Sequence, residues 1–178
     1  TASSSTSTVA NFITYGNTLC DIFMIAGGGN GGSGDGGGGG AGGAIKATGV
    51  FLTTATHACT VGGGAGLQAA AEASGWANGT DTTITNVGGN SGGVTWTAKG
   101  GGYGGNHGTP QSTTGGCGGG ASLTTTSDRQ GSAATQASNT PSSTVNGVSA
   151  TVSVHGFKGG DSQSANAGGA GGGGVGGV

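Results

Sequence analysis

Short runs in which apolar and polar residues alternate recur along the chain, and each leads into glycine. In Val148–Phe157 every second residue as far as Val154 is Val or Ala, and the residues between them are Ser or Thr. This period of two is typical of a half-buried β-strand. Val94–Lys99 shows the same pattern, whereas Ile22–Ala26 lacks alternation and predicts a strand that is covered on both faces.

Four of these runs end where a glycine-rich run begins, so the chain divides into four strand-to-glycine modules. The modules are Thr18–Ala26 into Gly27–Gly43, His57–Val61 into Gly62–Gly66, Val94–Lys99 into Gly100–Gly120, and Val148–Phe157 into Gly159–Gly177. Thr48–Thr54 and Thr80–Val87 are weaker β-prone segments, and no segment carries a convincing helical apolar face. The pattern predicts a mainly β fold in which short strands feed glycine-rich extended segments, without substantial helix.

The modules define a single glycine-rich structural domain over residues 18–178. Residues 1–17 are predicted to be an N-terminal arm or linker, because the chain begins with small polar residues that show no period. Residues 121–147 interrupt the spacing of the modules and are rich in Ser, Thr, Gln and Asn. We expect this stretch to be a long excursion on the surface.

The high glycine content and the few large apolar residues indicate a subunit of an assembly rather than an ordinary β domain. Glycine accounts for 49 of the 178 residues, while Leu, Ile, Val and Phe together supply only 24. Ordering glycine costs about 0.5–1 kcal/mol per residue more than ordering alanine, and few large side chains are present to offset that cost by burial. We therefore expect laterally hydrogen-bonded glycine runs in the polyproline II conformation. We also expect packing against further copies of the chain, a trimer being one candidate state.

Charge argues against one class of partner, and the length of the apolar stretches argues against another. The chain has four Lys and Arg residues and six Asp and Glu residues, for a net charge of −2. Four scattered basic residues cannot line the phosphates of a nucleic acid, so we expect no nucleic-acid binding. The longest strongly apolar stretch, Ile22–Ala26, is far shorter than the roughly 20 residues that a membrane-spanning helix needs, so we expect no membrane span.

Thiols, imidazoles and carboxylates give no pattern that is typical of catalysis or metal binding. The candidates for a metal site are Cys20, Cys59, Cys117, His57, His107 and His155. Their spacing matches no zinc motif, and no closely spaced pair of carboxylates indicates acid–base chemistry. We expect no metal, no cofactor and no enzymatic activity. Cys20 and Cys59 precede glycine runs in equivalent modules, which leaves open a disulfide between them or two neighbouring buried thiols.

Aromatic residues are the candidates for contact with a carbohydrate or a host surface, since planar rings stack on sugar faces. Trp76, Tyr103 and His107 are the residues we select, and burial in the core is the alternative for each. Trp96 lies on the apolar face of an alternating strand, so we expect it in the core.

Three transitions from strand to glycine resemble the glycine-rich domain proteins of bacteriophage virions, which occur in tail fibres, adhesins and other surface structures. They are Thr18–Gly32 (TLCDIFMIAGGGNGG), Ala58–Gly66 (ACTVGGGAG) and Thr97–Gly105 (TAKGGGYGG). The resemblance implies a non-enzymatic tail-fibre, spike or capsid-surface protein located at the virion surface. It also implies that the partners are the chain itself, other virion proteins and a host-surface glycan or protein.

Two other classes share parts of this pattern. A secreted cellular surface fibril or matrix protein has the same glycine-rich composition. An ice-binding protein built on a polyproline II bundle predicts glycine at every third residue and a flat face of Thr or Ala, and the sequence lacks that period.

Overall fold

The computed structural model describes the chain in nine stretches and single positions. They are residues 6–66, 76–88, 93–106, 111–122, 130–136, 141, 144–145, 147–162 and 169–176.

Strands are the regular secondary structure of this fold, and the described residues contain no α-helix. The strands are β1 (Thr8–Thr14), β2 (Thr18–Ile25), β3 (Ala44–Leu52), β4 (Ala55–Val61), β5 (Thr82–Val87), β6 (Val94–Ala98), β7 (Thr144–Val145), β8 (Val148–Ser149) and β9 (Thr151–His155). A mainly β fold is therefore confirmed. Three of the four runs that precede glycine form single strands where the sequence pattern predicts them. The fourth, Val148–Phe157, is divided at Ala150 into β8 and β9.

Two antiparallel sheets carry most of the strands. A four-stranded sheet has the order β1-β4-β5-β6, a three-stranded sheet has the order β2-β3-β9, and β7 and β8 form a short hairpin. β1 pairs with β4 along its whole length, from Thr8 opposite Val61 to Thr14 opposite Ala55. The turn at residues 15–17 then carries the chain from the edge of one sheet to the edge of the other.

The two sheets share one hydrophobic core. Ile45, Val50 and Leu52 of the three-stranded sheet and Trp96 and Ala98 of the four-stranded sheet are at most 1% exposed and belong to the same cluster. The placement of Trp96 in the core is confirmed.

A bulge in β3 places Gly49 opposite β2 in the left-handed region of backbone conformation. Gly49 has a φ of +71°, and its N–H donates to Asp21 Oδ1 at 3.0 Å. The ladder skips here, since Cys20 pairs with Val50 and Ile22 with Ala47. Because only glycine adopts this φ without strain, the glycine sets the bulge and Asp21 caps it.

Burial along β2 contradicts the expectation for Ile22–Ala26. Met24 and Ala26 are buried, whereas Phe23 and Ile25 are exposed. β2 is the edge strand of the three-stranded sheet, and only one of its faces meets the core. The prediction of a strand covered on both faces is wrong, because one face of β2 is exposed and an apolar run by itself does not reveal this.

Two further segments differ from their sequence interpretation. Residues 8–14, assigned to the N-terminal arm, form β1 and pair with β4. Within the predicted surface excursion, Ala121, Ser122 and Gln136 are at most 1% exposed. The excursion is therefore partly internal, because its described segment 130–136 hydrogen-bonds to residues 115–119 through backbone groups. Other parts of the excursion, including residues 123–129, lie outside the described residues.

The glycine lattice as candidate functional site

Beyond the strand ends, the chain forms a set of non-helical, non-strand segments joined sideways by backbone hydrogen bonds, which we call the glycine lattice. Its described segments are residues 26–33, 36–43, 62–66, 76–81, 99–106, 111–122, 130–136, 156–161 and 169–174. Donor–acceptor distances between these segments range from 2.6 to 3.2 Å. The lattice begins where β2, β4, β6 and β9 end, so the sheets fix the starting points of its segments.

Hydrogen bonds to one neighbouring segment recur at every third residue. Along 26–33, the donors toward 36–43 are the N–H groups of Ala26, Gly29 and Gly32, and the acceptors are the carbonyls of Gly43, Gly40 and Gly37. The intervening donors at Gly27 and Asn30 bond to a different segment, 76–81. Successive residues of one segment therefore face different neighbours.

Segment 36–43 shows the same spacing toward more neighbours. Its N–H groups at Gly37, Gly40 and Gly43 donate to 99–106, and those at Gly38 and Ala41 donate to 169–174. The carbonyls of Gly38 and Ala41 accept from 111–122. Backbone groups that would be costly to bury without partners are thus satisfied between segments rather than within one.

Close approach of backbones explains why these positions are glycine. A Cβ built on Gly27 would overlap Gly63 O, one on Gly79 would overlap Gly27 O, and one on Gly100 would overlap Gly79 O. Because each obstacle is backbone rather than the end of a flexible side chain, the structure cannot relieve the overlap by a rotamer change. Glycine is therefore a steric requirement at these crossings.

Amide side chains tie lattice segments together where backbone partners are missing. Asn30 Oδ1 accepts from the Ala77 N–H at 3.1 Å, and Asn106 Oδ1 accepts from the Ser33 N–H at 3.0 Å. Fully buried Gln136 accepts from the Lys99 N–H at 2.7 Å. The sequence does not mark these residues as links, since an isolated Asn or Gln beside glycine is also typical of a turn.

Two carboxylates serve the same purpose. Asp81 accepts from the Gly100 N–H at 2.8 Å and pairs with Lys99 Nζ at 2.8 Å. Asp161 accepts from the Gly131 N–H at 2.7 Å and pairs with Lys158 Nζ at 2.7 Å. The hydrogen bond from Lys158, followed by that from the Gly131 N–H, lowers the pKa of Asp161. Both carboxylates thus join separate segments.

Of the three residues selected for surface contact, two lie on neighbouring lattice segments. Trp76 and Tyr103 are half-buried, and the Gly79 N–H links their segments by donating to Gly101 O at 2.9 Å. The Tyr103 N–H donates to Asn78 Oδ1 and Thr113 Oγ1 at 3.0 and 2.9 Å, which fixes the backbone that carries the phenol. His107 lies outside the described residues.

The thiols and the buried imidazole have structural surroundings. Cys20, Cys59 and Cys117 are free thiols, and Cys20 and Cys59 pack against the shared core. Cys117 Sγ lies 3.1 Å from Gly174 O as a donor, and burial raises the pKa of this thiol. His57 is fully buried, with Nδ1 3.1 Å from Thr85 O. Nowhere in the described stretches do three or more His, Cys, Asp or Glu side chains gather in a way that could hold a metal ion.

No helix within the described part of the chain has the length and apolar character needed to cross a membrane. Comparison with known proteins finds no matching family model, and no curated protein or solved structure matches the chain.

Proposed function

We propose that the protein is a non-enzymatic structural component of a bacteriophage virion, a tail-fibre, spike or capsid-surface protein whose glycine lattice is a bundle of polyproline II segments. The observation that carries the proposal is the three-residue spacing of the lattice hydrogen bonds. Polyproline II has three residues per turn and no internal hydrogen bonds. A segment in this conformation directs every third N–H toward the same neighbour.

Such a bundle suits a part that must survive outside a cell. Its polar backbone groups are satisfied by neighbouring segments, and glycine allows those segments to approach closely. An extended segment held on several sides does not fit easily into a protease cleft, which requires a locally freed strand. The mechanism is mechanical, with loops between lattice segments presenting a polar surface to partners.

The polar groups best suited to chemistry are already engaged in holding the fold. Asp81 and Asp161 bond to backbone N–H groups and lysines, and Cys117 donates to a carbonyl. His57 has no solvent exposure. This arrangement supports a structural rather than a catalytic role.

Immunogold electron microscopy of source material tests the virion assignment. The antibody is raised against the whole folded protein, because part of the 121–147 excursion is buried, and serum pre-absorbed with the pure protein is the control. We expect gold on tail fibres or capsid surfaces. Gold on cell-surface filaments with unlabelled virions would replace the proposal with a secreted fibril protein.

Receptor contact through Trp76 and Tyr103 forms part of the proposal. Their half-buried rings lie on adjacent segments, and a planar ring with one exposed face can stack on a sugar. A glycan-array screen of the wild-type protein, with W76A and Y103A compared for any hit, tests this contact. Binding that survives both substitutions would assign it to another surface.

One observation favours ice binding as a second candidate. Thr60, Thr83 and Thr97 lie directly opposite one another on β4, β5 and β6, so threonines form a row across the face of the four-stranded sheet that points away from the core. Directly opposed residues have Cβ atoms about 4.5–5.5 Å apart, which gives a regular array. An ice-recrystallisation assay with Thr83→Lys as the control variant tests this candidate, and a wild-type protein without inhibition removes it.

A further inference from the structure

Exposed large apolar side chains concentrate on β1, on β2 and in the turn between them. Their exposed fractions lie between 45 and 89%, and they are Val9, Phe12, Ile13, Tyr15, Leu19, Phe23 and Ile25. We call this set the edge patch. At the opposite edges of the two sheets, β6 exposes only Val94 among its large apolar side chains and β9 exposes none.

Both strands of the edge patch are edge strands. Among the described strands, β1 has only β4 as a neighbour and β2 has only β3. An edge strand presents unpaired N–H and C=O groups, and proteins usually protect it with charges, proline or a bulge. β1, with the sequence TVANFIT, has no charge, proline or glycine, and β2 has a single charged residue, Asp21. These edges are therefore open to pairing.

Phe12 shows that the core side of this edge is also uncovered. Phe12 pairs with fully buried His57, with ring centroids 5.9 Å apart, so its ring is on the core side of the four-stranded sheet. Even so, it is 48% exposed. An open groove of about 260 Å³ lies beside it, lined by β1, β2, β3 and β5 side chains that include Cys20, Leu52 and Ile84. At this side the described residues leave the two-layer core open.

We infer that the edge patch is the junction with a second copy of this chain, in which β1 pairs with β1 and β2 with β2 across a twofold axis. Pairing would extend both sheets and place each Phe12 under the other copy. This inference rests on the proposed function in one respect, that the chain is a unit of an assembly.

Area and charge both favour a second copy as the occupant. The seven side chains of the edge patch, with exposed fractions between 45 and 89%, present on the order of 700 Å². This is close to the roughly 800 Å² per partner of a standard interface. A twofold contact brings a patch against itself, so an excess of one charge would repel. The charged residues at the patch, Asp21 on β2 and Lys46 opposite Phe23, have opposite signs.

Sedimentation velocity of the full chain over a wide range of concentrations tests the junction. We expect a dimer for the wild-type protein and at least about a 100-fold weaker Kd for the double variant I13K/L19K, because a twofold contact would bring the added positive charges of the two copies together. Val94→Lys, at a position 45% exposed on the opposite edge, is the matched control and should dimerise normally. A folded double variant with wild-type Kd, or a wild-type monomer at the highest concentration, overturns the inference.

Hydrogen exchange of the wild-type protein provides a second readout that depends on no substitution. We expect amides of β1 and β2 to exchange more slowly as concentration rises, whereas those of β6 do not change. Exchange at β1 and β2 that is independent of concentration contradicts the junction. Dimerisation is measured on the pure protein, whereas immunogold labelling is done on source material. Failure of the dimer inference can therefore be told apart from failure of the virion proposal.

Discussion

The Nε2 atom of fully buried His57 lies 3.2 Å from Oγ1 of Thr14, which ties the last residue of edge strand β1 to the middle of β4. The Thr14 hydroxyl also donates to Thr53 O at 2.5 Å and accepts from the Ala55 N–H at 3.0 Å. One side chain thus closes the corner at which the chain leaves the four-stranded sheet. β1 is held by this cluster as well as by its ladder.

Thr14→Val should destabilise the protein. Valine keeps the shape of threonine but leaves the Ala55 N–H and the imidazole without their partner, at a cost of about 1–3 kcal/mol. Urea denaturation measures the change, with Thr14→Ser expected to retain most of the stability. Thr95→Val, on the exposed face of β6, is the control. Equal stability of T14V and wild type would show that the cluster contributes nothing.

Glycine substitutions should separate steric from conformational requirements. Gly27→Ala should prevent correct folding or cost several kcal/mol, because its Cβ overlaps the Gly63 carbonyl. Gly171→Ala meets nothing within 4 Å and should change stability by no more than about 0.5 kcal/mol. Gly49→Ala also has open space but a φ of +71°, so a cost of about 1 kcal/mol comes from the backbone alone.

Thermal unfolding measures this glycine series. Equal melting temperatures for the alanine variants at positions 27 and 171 would contradict the close-packed lattice. A variant at position 49 as stable as the wild type would contradict the assigned bulge.

Low pH should weaken the contact between lattice segments 156–161 and 130–136. Lys158 and the Gly131 N–H lower the pKa of Asp161, so the folded-state pKa lies below that of the unfolded chain. The resulting stabilisation is complete above the unfolded pKa and is lost as the pH falls through the folded pKa.

NMR titration of the Asp161 carboxyl carbon measures this pKa directly. Lys158→Met should move it upward, because the charged donor that contributes most is removed. Wild-type protein in high salt is a useful comparison, since this exposed pair should be partly screened. An unchanged pKa of Asp161 in K158M would show that Lys158 does not cause the lowered pKa.

Cys117 should be the least reactive of the three thiols. It is fully buried and donates to Gly174 O, whereas Cys20 and Cys59 are half-buried. Burial raises the pKa of Cys117 and also, together with the charge of Asp21, that of Cys20, so burial sets Cys117 apart. We expect native-state alkylation at Cys117 to be at least about tenfold slower than at Cys59, since the thiolate is the nucleophile and access requires local opening. Mass spectrometry of iodoacetamide-treated protein measures this order, and unfolding in urea should abolish it.

Alternation and apolar runs predicted the strands that precede glycine, because a period of two is imposed by the pleat itself. They did not predict β1, whose Phe12 and Ile13 follow a run of Ser and Thr, nor the exposed side of β2. Both failures have the same origin, since β1 and β2 are edge strands among the described residues and carry apolar side chains that stay exposed.

The glycine content predicted lateral hydrogen bonds between glycine-rich runs, but not which runs lie side by side. A glycine segment has no side-chain pattern from which its neighbours can be read, so nothing in the sequence of 36–43 indicates that it lies beside 99–106 and 169–174. The side chains that link neighbouring segments belong to scattered amides and carboxylates such as Asn106, Gln136 and Asp161. A lone Asn or Asp next to glycine carries the same pattern whether it links two segments or initiates a turn.

The three-residue spacing of the lattice bonds leaves the translational alignment of a segment almost degenerate as far as its backbone hydrogen bonds are concerned, and the glycines required at the crossings limit it further. If one segment slid past its neighbours by three residues, each backbone donor would meet an equivalent acceptor, whereas a slide by one would turn every donor toward the wrong side. The side chains of Asn30, Asn106 and Gln136 then select the observed alignment, because their hydrogen bonds to backbone N–H groups form only in it. Insertions or deletions of three glycines should accordingly be absorbed within a segment far more readily than those of one or two, which gives such a chain an unusual route for changing length during evolution.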